Sequence, residues 1–329
     1  MSLVERFQSL LVAAAAAVGL AAGLVWPTAQ GAQHVVLPIL LVMLTAVFVQ
    51  LEAGHIREVR QARSLVAASL LLNFALTPLL AWSLGVGMLA DHPDLRIGLL
   101  LLLVTPCTDW YLVFTALARG HTAIAAALLP LNLGLQLVLL PLYVLLLGGE
   151  AAMVDGATLL RSVLLVLVLP LAVALVLRWL ACRWGGDAWR AQVLSPAAGR
   201  VVIPLLCLAV LAMFAGQAHV VAVHATEILL LLVPLAVFFV AAPLAASATA
   251  ASLRLPADHR ATLTMTVTAR NSPVALAIAV SAFPDRPLIA VALVVGPLVE
   301  LPVLTFLSQL VRAPTRASTS PPHGPPDSR

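Results

Sequence analysis

The chain has no lysine and few charges of any kind. Only 10% of its 329 residues are charged, and the net charge of +4 is carried by arginine alone. The mean hydropathy is +1.07. Soluble domains carry roughly 25% charged residues, so a soluble fold of this length would leave much apolar surface in water. The composition therefore predicts a polytopic membrane protein. Because no basic patch is interleaved with aromatics, we expect no nucleic-acid partner.

Motifs for metal binding, ATP hydrolysis and nucleophilic catalysis are also missing from the sequence. The three cysteines form no C-x-x-C pair, and there is no Walker-type glycine loop. The eight histidines fall in predicted loops, in the tail or at span ends. We therefore expect no metal, no cofactor and no ATP hydrolysis within the chain. An intramembrane enzyme or a non-transporting receptor is the least favoured class.

Roughly ten apolar segments are long enough to cross a bilayer, which needs about 20 residues per helix. They are residues 9–26, 35–51, 64–89, 96–118, 121–147, 157–181, 200–216, 226–249, 258–283 and 287–311. The first segment, which follows Arg6, also fits a cleaved signal peptide. With ten spans and both termini inside, only Arg96, Arg161 and Arg286 face outward, and Arg270 lies within a span. By the positive-inside rule this predicts a multi-pass protein of the cell (inner) membrane with cytoplasmic termini.

Ten spans divide into two sets of five, and an odd number per half gives the halves opposite orientations. The same separation, 167 residues, lies between Pro106 and Pro273 and between Pro130 and Pro297. We therefore predict an all-α membrane protein built from two inverted five-helix repeats. The predicted units are a first repeat, a second repeat and a disordered cytoplasmic tail, at residues 1–147, 148–311 and 312–329.

Two spans are interrupted near their middle by proline and polar residues. The fourth span contains Thr105-Pro106-Cys107-Thr108-Asp109, and the ninth contains Arg270-Asn271-Ser272-Pro273. Proline removes a backbone donor and clashes with the carbonyl four residues earlier, so Pro106 and Pro273 predict helix breaks. Simple packing kinks are the alternative. Interrupted helices in matching positions of two halves are typical of the midplane substrate site of secondary transporters.

Other polar side chains reach the depth of these breaks. At a rise of 1.5 Å per residue, five of them lie roughly 15–20 Å into their spans. These are Asn73, Asp109, Asn132, Asn271 and Glu300. Each needs a partner in hydrocarbon, and one shared cluster would provide it.

The predicted site combines this cluster with the residues of the breaks. The predicted substrate-binding residues are Cys107, Thr108, Asp109, Arg270, Asn271, Ser272, Asn73 and Asn132, and the predicted proton-coupling residues are Glu300 and Asp109. Three other interpretations stay open: a structural Asp109–Arg270 ion pair, interhelical hydrogen bonds by the asparagines, and an apolar role for Cys107.

Four threonines of the ninth span, Thr262, Thr264, Thr266 and Thr268, alternate as they would in a strand. An open strand cannot cross lipid, because its backbone groups would lack partners. We therefore expect a helix here, with hydroxyls that bond backbone carbonyls.

At these residues the chain resembles the bile acid:sodium symporter superfamily, in particular its arsenical-resistance branch of arsenite permeases. The resemblance spans nearly the whole chain and is sharpest at residues 104–110, 117–120, 269–277 and 295–303. It implies two inverted repeats whose helices four and nine cross at their breaks, with helices one, two, six and seven forming a panel. It also implies that Cys107 engages a trivalent arsenical and that Glu300 carries the coupling proton.

The chain departs from sodium-coupled members of that superfamily at two positions of helix nine. Those members carry glutamate and glutamine where this chain has Thr266 and Arg270. A fixed guanidinium would repel sodium, so we expect proton coupling, with Arg270 supplying the charge that sodium supplies elsewhere. Arg270 would also suit an anionic substrate.

The expected function is therefore a secondary transporter, namely a proton-coupled arsenite efflux permease. The alternative is a symporter-type carrier of an organic anion, with sodium as a possible coupling ion. Membrane lipid is the remaining expected partner.

Overall fold

The computed structural model describes residues 8–50, 62–108, 110–149 and 156–312. Asp109 and residues 313–329 of the predicted tail lie outside these ranges. Within them, the regular elements are helices, apart from one isolated backbone bridge. The predicted all-α class is therefore confirmed for the described residues.

The first half of the chain forms seven of the described α-helices. They are α1 (Gln8–Val25), α2 (Gln33–Val49), α3 (Arg63–Leu71), α4 (Thr77–Met88), α5 (Pro93–Leu103), α6 (Trp110–Leu117) and α7 (Thr122–Leu147). A 3-10 turn at Pro27–Ala32 joins α1 to α2, and a π turn at Leu72–Leu76 continues α3 into α4. The predicted fourth span is thus two half-helices, α5 and α6.

The second half repeats this mixture of long and short helices. They are α8 (Gly156–Val163), α9 (Leu169–Trp189), α10 (Ser195–Gly216), α11 (Ala218–Val223), α12 (Ala225–Leu230), α13 (Leu232–Ser252), α14 (Ala257–Thr268), α15 (Ser272–Ala282) and α16 (Pro287–Leu310). The predicted ninth span is again two half-helices, α14 and α15.

Helices long and apolar enough to cross a membrane account for much of the described chain. They are Arg63–Met88, Thr122–Leu147, Gly156–Gly216, Ala225–Ser252 and Pro287–Leu310, with shorter apolar helices at Leu10–Val25, Gln33–Val49 and Ser272–Ala282. A straight helix over Gly156–Gly216 would measure about 90 Å, three times the hydrocarbon core. Gly186 divides it with a φ of 76° and a ψ of 173°, a conformation that glycine tolerates.

The chain is therefore a multi-pass membrane protein, as its composition predicted. The count of ten spans and the inverted repeat stay predictions, because the interrupted spans consist of pieces too short to cross a bilayer alone.

One group of helices packs at very close range. Helix α10 lies against α1 and α2, and α9 lies against α2. A Cβ added to Gly19 would meet the Leu211 carbonyl oxygen at 2.4 Å, and one added to Gly23 would meet that of Ala215 at 2.3 Å. Small residues spaced four apart allow such backbone contact between membrane helices. These helices belong to the spans that the resemblance groups into a panel.

The interrupted spans are enclosed by a second group of helices. Helix α16 packs against α5 and α15, α13 packs against α14, and α4 packs against α5. Gly98 brings α5 close to α16, where its added Cβ would lie 2.9 Å from the Ala292 side chain. This enclosure buries the ends of the half-helices, so their unpaired backbone groups need partners within the protein.

Candidate functional site: the crossing of two interrupted spans

The interruptions of the fourth and ninth spans lie against each other. Pro106 and Arg270 form an isolated antiparallel bridge. The Cys107 amide donates to the Ala269 carbonyl at 3.2 Å, and the Asn271 amide donates to the Thr105 carbonyl at 2.8 Å. The predicted crossing of the two spans at their breaks is thus observed, and we name residues 104–108 and 269–272 the crossing.

The two prolines explain why these particular backbone groups pair. Pro273 lies in the first turn of α15, and the carbonyl it would clash with, four residues earlier, is that of Ala269. That carbonyl accepts from Cys107 instead. Pro106 likewise displaces the Leu102 carbonyl, which accepts from the Thr105 hydroxyl at 2.9 Å. Each proline therefore frees an acceptor that the crossing then satisfies.

Arg270 is the most deeply engaged side chain of the crossing, and only 1% of it is exposed. Its Nη1 donates to the Leu103 carbonyl at 2.8 Å, and its Nη2 donates to the carbonyl of Val267. These carbonyls lie at the C-terminal ends of α5 and α14, where a helix carries partial negative charge. The guanidinium also lies 5.2 Å from the centre of the Phe238 ring. The positive charge is thus held by two half-helix ends and an aromatic face.

Two other predicted site residues bind Arg270 directly. Asn73 accepts from its Nη2 through Oδ1 at 2.7 Å, and Glu300 accepts from its backbone amide through Oε1 at 2.8 Å. The Asn73 amide nitrogen is 3.4 Å from the Thr266 carbonyl oxygen. Three elements therefore meet at Arg270. They are the π turn that follows α3, helix α16, and the interruption of the ninth span.

Asn271 and Thr108 link the two interruptions through their side chains. The Asn271 amide nitrogen donates to the Thr108 hydroxyl at 2.8 Å, and its Oδ1 accepts from the Val274 amide in the first turn of α15. An asparagine at this position caps the helix by satisfying one of its unpaired donors. Asn271 thus caps one half-helix and fastens it to the other span.

A very small cavity lies beside the crossing. Its volume is about 10 Å³, near the minimum for one water molecule. Its walls come from Arg270, Ser272, Pro273, Pro297, Glu300 and Leu301. The Ser272 hydroxyl is buried, and it has no hydrogen-bond partner within the described part of the chain. The predicted Ser272 and Glu300 are therefore neighbours around a water-sized space.

The remaining predicted residues have different surroundings. Cys107 is buried in an apolar cluster with Tyr111, Leu129 and Ala269. Asn132 is buried on α7 but joins none of the hydrogen bonds described above. Asp109 lies outside the described residues, so its predicted ion pair with Arg270 and its proton-coupling role stay predictions.

Sequence reasoning missed two residues, one on the same helical face as Asn132 and one in contact with Arg270. Gln136 follows Asn132 by four residues and is equally buried on α7, so helical periodicity would have found it. Phe238 of α13 contacts the guanidinium, but its sequence context, Val-Phe-Phe-Val, gives no signal of that role. The alternating threonines of α14 are helical as expected, and each hydroxyl bonds the carbonyl four residues earlier.

A larger cavity opens away from the crossing. It has a volume of about 270 Å³ and is lined by Gln33, His34, Leu37, Met213, Gln217, Val280, Phe283, Pro284, Pro287 and Ala290. Its polar part is formed by the start of α2 and the end of α10, where Gln217 donates to Gln33 at 2.8 Å. The cavity thus separates α2 and α10 from the loop between α15 and α16.

Comparisons with known proteins match more than half of the chain. The model of the Sodium Bile acid symporter family matches residues 37–224. The chain is 24% identical over 279 residues to the arsenical-resistance protein Acr3 of Corynebacterium glutamicum, with 82% of this chain and 75% of that protein covered. It is 28% identical over 220 residues to Acr3 of Alkaliphilus metalliredigens, at 66% and 61% coverage. An uncharacterized transporter of Synechocystis is 24% identical over 341 residues, at 95% and 89% coverage.

Proposed function

The chain belongs to the Sodium Bile acid symporter family, and on that basis we propose that it is a proton-coupled exporter of arsenite in the cell membrane. Two relatives named as arsenical-resistance proteins support this choice of solute. Both chain termini would face the cytoplasm, and the two five-helix repeats would be inverted. The solute and a proton would move in opposite directions.

Cys107 is the residue on which the proposal chiefly rests. It is buried, and its backbone amide bonds across to the ninth span at Ala269. Sulfur is a soft ligand that suits a thiophilic trivalent arsenical. We propose that the Cys107 thiol replaces one hydroxyl of arsenous acid. The S–H and As–O bonds break, an S–As bond forms, and water leaves with the thiol proton.

Arg270 serves in this proposal as an internal cation. Its guanidinium donates hydrogen bonds to carbonyl oxygens and to Asn73, at a point where sodium-coupled members of the superfamily are expected to bind an ion. A guanidinium held in this way supplies positive charge without binding sodium. Because the guanidinium already donates its hydrogen bonds to protein acceptors, the site favours a neutral solute such as arsenous acid over an anion.

The other crossing residues complete the proposed site. The residues proposed to contact solute are Cys107, Thr108, Asp109, Arg270, Asn271, Ser272, Asn73 and Asn132, and those proposed to carry the proton are Glu300 and Asp109. The 270 Å³ cavity between α2 and the α15–α16 loop would give access from the outer side under the predicted orientation.

A carrier of an organic anion is the second candidate. The family description and the positive charge of Arg270 favour it. In that case the guanidinium would turn toward the substrate in another conformation, and Cys107 would have no part in binding.

Arsenite accumulation in everted membrane vesicles tests the proposal. The vesicles are prepared from a host without arsenic pumps and acidified inside by respiration. We expect Cys107→Ser to lower the uptake rate at least about tenfold, equivalent to about 1.4 kcal/mol. Cys207→Ser, which changes a half-buried cysteine of α10, is the matched control and should leave uptake unchanged.

Two results would contradict the proposal. One is arsenite uptake by Cys107→Ser at the wild-type rate. The other is uptake of a bile acid or sulfonate, in the absence of arsenite transport, that Cys107→Ser does not affect. The second result would favour the organic-anion carrier.

A further inference from the structure

One face of helix α7 carries four residues in a row, two of which are buried together with Cys107 of the crossing. Ala125, Leu129, Asn132 and Gln136 are spaced by four, three and four residues, so they share one helical face. Ala125 and Leu129 are buried in the same apolar cluster as Cys107. The Tyr111 hydroxyl of α6 donates to the Ala125 carbonyl and fixes this end of α7. Asn132 and Gln136 therefore continue, by one and two turns, the face that meets the crossing.

The side-chain amides of Asn132 and Gln136 are buried and lack hydrogen-bond partners in the part of the chain that the structure describes. Asn132 is 0% exposed and Gln136 is 1% exposed. Neither the oxygen nor the nitrogen of either side chain has a hydrogen-bond partner among the described residues. Leaving a buried donor or acceptor unpaired incurs its full desolvation penalty. Four such atoms lie on adjacent turns of one helix, so their desolvation cost is concentrated there. They call for a partner that the described residues do not supply.

Interhelical hydrogen bonding does not account for these amides, because Asn73 shows what that role looks like in this protein. Its Oδ1 accepts from Arg270, and its nitrogen lies 3.4 Å from the Thr266 carbonyl oxygen. The threonine hydroxyls of α14 likewise have carbonyl partners within the helix. Asn73 and these threonines thus have partners among the described residues, whereas Asn132 and Gln136 do not.

The chemistry of the two side chains indicates what would satisfy them. A carboxamide is neutral and offers both donors and an acceptor. Two of them at i and i+4, with Cβ atoms about 5–6 Å apart, match a small neutral solute with several hydroxyls better than an anion or a bare cation. We propose that Asn132 and Gln136 form a hydroxyl-recognition site that receives the solute on its way to or from Cys107. This inference rests on the proposed function, in which arsenous acid brings three hydroxyls.

Solute-induced stabilisation of the purified full-length protein tests the site. We expect arsenite to raise the Tm of the wild type. Asn132→Leu and Gln136→Leu should have an unchanged or higher Tm without solute, because each removes an unsatisfied amide. Both should bind arsenite at least about tenfold more weakly, as judged by the concentration that gives half the shift. Gln50→Leu is the matched control, since the Gln50 nitrogen already donates to the Ala46 carbonyl, and it should keep the arsenite response.

Two outcomes of this measurement would overturn the site. Leucine variants that lose stability but keep arsenite affinity would show that the amides are structural. Leucine variants that gain stability and keep affinity would show that the amides have no ligand.

A second measurement separates this inference from the proposed function. If arsenite does not stabilise the wild type, the proposed function fails, and the site is judged by accessibility alone. Gln136→Cys in a background without native cysteines should then react with a charged thiol reagent in vesicles. Val138→Cys, at a position that is 68% exposed on the lipid-facing side of α7, should not react. An unreactive Gln136→Cys would overturn the site.

Discussion

Arg270 shows how one side chain can hold two interrupted helices together. Its guanidinium bonds the carbonyls at the ends of α5 and α14, and its backbone amide bonds Glu300. Burying a charge is costly unless it is paired and hydrogen-bonded. Here the partial negative charge of two helix ends meets that need. The residue therefore acts on the crossing as a bound cation would.

Removing the guanidinium should destabilise the crossing. Arg270→Met leaves the carbonyls of Leu103 and Val267 and the oxygen of Asn73 without their donor. At about 1–3 kcal/mol for each unsatisfied acceptor, we expect a loss of roughly 3 kcal/mol or more. The double variant Thr266→Glu with Arg270→Gln introduces the pair that the resemblance assigns to sodium-coupled members of the superfamily. Its Tm should rise in sodium chloride relative to choline chloride, whereas the wild type should not respond to sodium.

Arg260→Gln provides the control, because Arg260 is an exposed arginine at the start of α14. It should change neither the stability nor the sodium response. A double variant that responds equally to sodium and choline would argue against Arg270 as a replacement for the ion.

At the scale of helices, sequence reasoning located the interruptions and their crossing, but it did not predict which residues pair there. Prolines and polar residues in apolar spans predicted both breaks, and depth along the helix predicted that Asn73, Asn271 and Glu300 would lie near them. The repeat spacing relates Pro106 to Pro273, yet the structure pairs Pro106 with Arg270. The repeat predicts which residues of the two halves occupy corresponding positions. Which residues touch depends instead on how the two interrupted spans cross. The carbonyls that bind Arg270 had no sequence signal, because every residue carries one.

Helix packing around α1 gives a prediction at the same scale. Gly19 and Gly23 let α1 touch the backbone of α10, with an added Cβ at only 2.4 Å and 2.3 Å from carbonyl oxygens. Gly23→Ala would force the helices apart, and overpacking of this kind costs about 1–3 kcal/mol. We expect a lower Tm of the detergent-purified protein. Gly134→Ala on α7 is the matched control, since nothing lies within 4 Å of its added Cβ.

The two alanine variants should therefore change stability in opposite directions. Gly134→Ala should raise the Tm slightly, because alanine favours helix over glycine by about 1 kcal/mol. Equal effects of the two substitutions would show that α1 and α10 do not depend on backbone contact.

At the scale of the whole molecule, the described residues line a small space beside the crossing and a larger cavity away from it. The 270 Å³ cavity reaches inward only as far as residues such as Val280 and Ala290. Beside the crossing, the described residues line a space of about 10 Å³ next to Glu300. A space of that size does not admit a solute, so in the proposed function we expect α2 and α10 to move relative to the interrupted spans. This is the expected relation between the panel and the other helices in an alternating-access transporter.

We propose that Glu300 couples proton uptake to such a movement. Its Oε1 accepts the Arg270 amide proton at 2.8 Å, which fastens α16 to the ninth-span interruption. Hydrogen bonds to an ionised acceptor are roughly twice as strong as neutral ones, so protonation would weaken this bond.

Glu300→Gln should imitate the protonated state permanently. In proteoliposomes, we expect arsenite transport driven by a pH gradient to fall at least about tenfold, while exchange of arsenite for arsenite without a gradient continues. Glu227→Gln, which changes a carboxylate between His92 and His224, should leave both processes intact. Gradient-driven transport by Glu300→Gln at the wild-type rate would remove Glu300 as the proton carrier, and the coupling role would then pass to Asp109.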